Sequence, residues 1–200
     1  MDHFEVFGLP RKLGIDTAEL QRTFYELSRR GHPDFHQGAS PERQAEILDA
    51  SARLNAAYRA LRDPIARIEY LVRLEEGRNT REGATVKPKA PAELLEEMFE
   101  IQEALQEAKS SGQPGELAAG ARETLVAQRE RLLARSQEHE ARLRGPLTDA
   151  WDAAGPAERA GVLAAFKDAL ATRAYLRTVI DDIEEALGEV GEGHVSHRRH

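Results

Sequence analysis

Two hundred residues suffice for one ordinary domain or two small ones with a true core, and not for a large multidomain machine. The absence of cysteine removes disulfides, thiol nucleophiles, zinc–thiolate sites and thiolate-ligated iron–sulfur clusters together. With 28 Lys and Arg against 35 Asp and Glu the chain carries a net charge of −7, which speaks against a protein that tracks nucleic-acid phosphates.

The opening MDHFEVFGLP holds Asp2 and Glu5 and no basic residue, unlike a secretory or transit segment, and no apolar run reaches the roughly 18 residues of a membrane helix. A soluble cytoplasmic protein is expected. Apolar residues recur every three or four positions with no alternating β-branched stretch, so the fold is read as all-α. A short helix over 4–8 comes first. Asp16, with Glu19 three residues on, caps a second that buries Leu20, Phe24 and Leu27 and stops at Gly31 and Pro33. Ser40 and Pro41 open a third, with Ile47, Ala50, Leu54, Tyr58 and Leu61 along one stripe. The second and third helices form a hairpin whose tip is GHPDFHQGAS. Asp63 and Pro64 then start a fourth, burying Ile65, Ile68 and Leu71 and ending near Gly77.

Residues 77–90, GRNTREGATVKPKA, lack apolar periodicity and are read as a linker between residues 1–76 and 91–190. Charge agrees with that division, because residues 1–90 hold 15 basic and 14 acidic side chains whereas 91–190 hold 11 and 20. The second part is expected to be an antiparallel bundle of three long helices, over 92–109, 114–144 and 156–190, with a shorter helical piece at 147–153 and breaks at Gly112 to Gly115 and Gly145-Pro146. The tail, 191–200, is expected to be disordered.

His32-Pro33-Asp34 stands at the hairpin tip, after a helix with Arg22, Arg29 and Arg30 and before LNAAYRALRDPIARIEYLV, with Asn55, Ala57, Tyr58, Leu61, Pro64, Arg67 and Tyr70 following in order. That constellation resembles a J domain over about residues 2–76. The opening DHFEVFGLP and the segment REGATVKPKAPAELLEEMFEIQEALQEA narrow the resemblance to the HscB family, J-domain co-chaperones of iron–sulfur cluster assembly. The resemblance implies a non-enzymatic adaptor whose J domain stimulates ATP hydrolysis by an HscA-like chaperone of the DnaK type, while the C-terminal helices hold an IscU-type scaffold protein. No cofactor is implied.

The chemistry of the tip agrees with recognition rather than bond-making. A proline-fixed turn presents an imidazole and a carboxylate to a partner's polar network, and Arg22, Arg29 and Arg30 add steering toward an acidic surface, diluted by Glu26. Two residues depart from the J-domain pattern: Gly31 stands where an aromatic residue is common, and Phe35 where a basic one is.

On the helix from 92 to 109, Leu94, Met98, Ile101 and Leu105 share one side and Glu96, Glu100, Glu103 and Glu107 the other, with Leu95 and Phe99 between them. Apolar anchors beside an acid row suit a partner-binding surface. By the family resemblance, Leu95, Phe99, Glu100, Glu103 and Glu107, with Tyr175 on the last helix, match scaffold-contact positions, and Glu96 replaces an apolar residue. Rival readings are a J protein serving another client and an enzyme using His32 and Asp34 as acid and base. His32, Asp34 and His36 do not make a convincing metal site, His194, His197 and His200 suit incidental metal capture, and Trp151 reads as a packing residue.

Overall fold

The structure, a computed structural model, describes residues 1–32, 38–77, 95–110 and 119–188. Pro33, Asp34, Phe35 and His36, the expected linker beyond Gly77 and the expected tail lie outside the described residues. Among the described residues eight α-helices follow in chain order: α1 (His3–Val6), α2 (Thr17–Arg30), α3 (Pro41–Arg62), α4 (Pro64–Glu75), α5 (Leu95–Ser110), α6 (Ala119–Arg142), α7 (Thr148–Ala153) and α8 (Arg159–Leu187). No strand occurs among the described residues.

The helix starts are set by local chemistry. Asp16 accepts from the backbone N–H groups of Ala18 and Glu19 at the head of α2. Ser40 accepts from Arg43 before Pro41, and Asp63 accepts from Ala66 before Pro64. Each side chain satisfies a donor that the first helical turn leaves orphaned, and each proline sits where a missing N–H costs nothing. Asp2 forms the same kind of cap on α1, with Glu5 reaching back to its backbone. In α3, Ile47, Leu54 and Leu61 are buried as the periodicity requires, but Ala50 is exposed: it lies over a cleft between α2 and α3 rather than in the seam.

The chain forms two compact units. The first comprises residues 1–84 and 142–167, the second 85–141 and 168–200. This differs from the single bundle over 91–190 that the sequence suggests, because residues 142–167 are held by the N-terminal unit. The Asp152 carboxylate accepts the backbone N–H groups of Leu13 and Gly14, each at 2.7 Å. Trp151, almost fully buried, donates its indole N–H to the Arg11 carbonyl at 3.2 Å, and Lys167 pairs with Glu76 at 2.7 Å. A Cβ on residue 14 would stand 2.9 Å from the Asp152 carboxylate, so a larger residue there would have to push that carboxylate aside. Arg67, also buried, donates to the carbonyls of Leu61 and Leu13, and the Tyr70 hydroxyl accepts the His3 backbone N–H at 2.8 Å while His3 stacks on its ring.

Residues 143–147 do not break the chain as Gly145-Pro146 leads one to expect. They form one wide π turn between α6 and α7. Pro146 has no N–H for the helical ladder and crowds the turn before it; the Thr148 hydroxyl donates to the Leu143 carbonyl at 2.8 Å.

In the second unit α5, α6 and α8 share an apolar core that includes Ile101 and Ala104, Leu125 and Leu132, and Leu176, Val179, Ile180, Ile183 and Leu187, with Met98 and Leu105 packed against it. α8 begins and ends three residues inside the expected bounds of 156–190. Leu94 lies outside the described residues.

Candidate functional site

Two surfaces hold the residues singled out by sequence. The first is the end of the α2–α3 hairpin. His32 is exposed one residue beyond the Gly31 cap of α2. Behind it Arg22, Glu26 and Arg29 are exposed on one face, and between them lies Tyr25, 60% exposed. Positions 22, 25, 26 and 29 are neighbours on a helix, so Tyr25 belongs to the same face. Sequence reading missed it; the available signal was an aromatic residue on the side opposite Leu20, Phe24 and Leu27. Arg30 is exposed as well. Phe24, by contrast, stacks on Tyr58 of α3 at 4.1 Å between ring centres and locks the hairpin.

Between the hairpin's arms lies a cleft of about 400 Å³ lined by Leu27, Arg30 and Gly31 of α2 and the α2 cap and by Arg43, Ile47 and Leu54 of α3, among others. Gly31 has φ −100°, an ordinary conformation for any residue, and a Cβ there would meet the Leu27 carbonyl at 3.4 Å. The backbone therefore does not demand glycine at this position.

The second surface is the outer side of α5. Phe99 is 81% exposed, a large aromatic ring left in water on a helix whose other described apolar side chains, Met98, Ile101, Ala104 and Leu105, are buried or partly buried. Glu100, Glu103 and Glu107 are exposed beside it. Leu95 begins α5; its side chain and that of Glu96 lie outside the described residues. Tyr175 is half-buried, packed against the core of the second unit, and burial pushes its hydroxyl above the usual tyrosine range. Two features of the α5–α6 seam were not read from sequence. Glu97 pairs with Arg135 at 3.4 Å, and the buried Gln128 donates from Nε2 to a Glu100 carboxylate oxygen at 2.8 Å. No group of three or more potential metal-ligating side chains occurs among the described residues, and no described helix is long and apolar enough to cross a membrane.

No family model matches the chain. Among curated proteins it is 33% identical over 138 residues to a co-chaperone protein HscB homolog from Aliivibrio fischeri, covering 69% of this chain and 79% of that one. This chain belongs to the HscB family of J-domain co-chaperones of iron–sulfur cluster assembly. Its fold is that of HscB structures: chaperone HscB from Vibrio cholerae superposes with a TM-score of 0.58 at 24% identity, covering 96% of this chain and all of that one. Human co-chaperone protein HscB gives 0.60 at 22% identity, with 95% and 83% covered. Within an HscB fold, the α2–α3 hairpin belongs to the J domain, and α5, α6 and α8 to the C-terminal helical bundle. Two of the motif residues are structural in this chain: Arg67 and Tyr70 tie α4 to the N-terminal segment.

Proposed function

We propose that this protein docks the end of its α2–α3 hairpin on an HscA-like, DnaK-type chaperone and stimulates its ATPase, while α5 presents an IscU-type iron–sulfur scaffold protein to the same chaperone. The observation that carries the second half is Phe99, exposed beside Glu100, Glu103 and Glu107: an aromatic anchor flanked by charges is the usual energetic centre of a protein interface. Leu95 and Tyr175 are proposed to border it. For the first half, His32, Pro33 and Asp34 carry recognition, and Arg22, Arg29 and Arg30, joined by Tyr25, supply steering and contact area.

The protein does no bond chemistry in this reading. It acts in the cytoplasm by holding client and chaperone on one chain, which raises the effective concentration of one at the other.

Phe99→Ala tests the scaffold surface. Calorimetric titration with an IscU-type scaffold is expected to show affinity reduced at least tenfold, with the melting temperature unchanged because the ring is already in water. Unchanged affinity would place the scaffold contact elsewhere on the chain, and failure of the unaltered protein to bind scaffold, with chaperone stimulation intact, would point to a different client.

A further inference from the structure

Leu125, Gln128 and Leu132 stand three and seven positions apart on α6, on one face of the helix. All three are buried, Gln128 to 2% exposure, so an amide fills a slot in the apolar stripe where leucine would ordinarily sit. Its Nε2 donates to Glu100 at 2.8 Å, and its Oε1 is buried with no hydrogen-bond partner. The orientation follows from chemistry, since a carbonyl turned toward the carboxylate would be repelled. A buried acceptor left unpaired is costly, and leucine would avoid that cost. What the amide gains is a fixed position for one exposed carboxylate, immediately beside Phe99.

We infer that Gln128 is a positioning residue of the α5 surface: it orders the Glu100 carboxylate in advance, so that its other oxygen meets a cationic donor, lysine or arginine, on the scaffold. The inference rests on the scaffold-binding reading of α5. A free glutamate must surrender its rotamer freedom when it binds, and one already held surrenders less. The Glu97–Arg135 pair, three residues earlier on α5, also bridges the two helices, so Gln128 is not their sole polar link and need not be read as the register pin that buried polar residues sometimes provide.

The test is a double-mutant cycle on the full chain. Gln128→Leu, and Gln128→Met as an unbranched replacement of similar length, are each measured alone and with Glu100→Ala for affinity to an IscU-type scaffold and for thermal midpoint. The expected result is a loss of roughly 3- to 10-fold in affinity for either Gln128 variant, with an unchanged or raised midpoint, and no further loss in the Glu100→Ala background. Unchanged affinity overturns the inference. So does an equal loss in both backgrounds, or a lowered midpoint with both replacements, because each would make Gln128 merely structural. In the free protein, Glu100→Ala is expected to shift the Gln128 side-chain amide NMR signals; unshifted signals would deny the hydrogen bond itself. Failure of the unaltered protein to bind scaffold, with those signals behaving as expected, would remove the scaffold reading and the inference with it while leaving the hydrogen bond standing.

Discussion

His32 is exposed at the end of α2, open to a partner's surface. His32→Gln is therefore expected to abolish stimulation of an HscA-like ATPase while helical circular dichroism and scaffold binding stay at their normal levels; loss of helicity would make the residue structural. Gly31, next to it, has no conformational need to be glycine, so Gly31→Ala should stabilise the first unit by about 0.4–1 kcal/mol through the unfolded chain, seen as a rise in chemical-denaturation midpoint. His3 titrates against the fold. Burial against Tyr70 lowers its pKa below the ordinary 6.5, with Asp2 opposing and Arg73 reinforcing that shift. On acidification the unfolded chain takes the proton first, so this contribution is complete above about pH 6.5 and is lost as pH falls from there through the lower folded-state pKa. Thermal melts at pH 7.5 and 5.5 should show a smaller acid-induced drop for His3→Phe, which keeps the stacked ring, than for the unaltered protein. An equal drop would contradict the assignment.

The helix starts of α2, α3 and α4 were legible in sequence because a cap is a local device: Asp16, Ser40-Pro41 and Asp63-Pro64 do their work within three residues. The outward position of Phe99 was equally legible, since the 100° spacing that buries Ile101 turns residue 99 away from it. Gln128 was not, because a glutamine on a helix rich in Arg and Glu reads as a surface residue, and only the neighbouring Leu125 and Leu132 mark its position as a core one. The two candidate surfaces should differ in salt response. The α2 face relies on arginines in water, which salt screens over about 10 Å at 0.1 M, and α5 relies on an apolar ring. Raising salt should weaken chaperone stimulation more steeply than scaffold affinity, and parallel slopes would contradict that division.

The allegiance of residues 142–167 could not be read locally, because the contacts that decide it join Arg11, Leu13 and Gly14 to residues 138–140 positions away. Periodicity reports that a segment is helical and which face is apolar, not which core that face enters. The consequence is testable on the molecule as a whole. A fragment of residues 1–84 lacks Trp151, Asp152 and Lys167, and it should melt well below the full chain and less cooperatively; an equally sharp transition at the same temperature would show that 142–167 is dispensable to the first unit. Within the full chain, Asp152→Ala removes the partner of the part-buried Leu13 N–H and of the exposed Gly14 N–H and should cost about 1–2 kcal/mol, checked by urea denaturation.

The central claim is that one chain couples a chaperone to a scaffold protein, and single-turnover ATP hydrolysis by an HscA-like chaperone tests it most directly. The account predicts that this protein alone accelerates hydrolysis and that adding an IscU-type scaffold raises the rate beyond the sum of their separate effects. Acceleration that the scaffold leaves unchanged, or no acceleration at all, would contradict it.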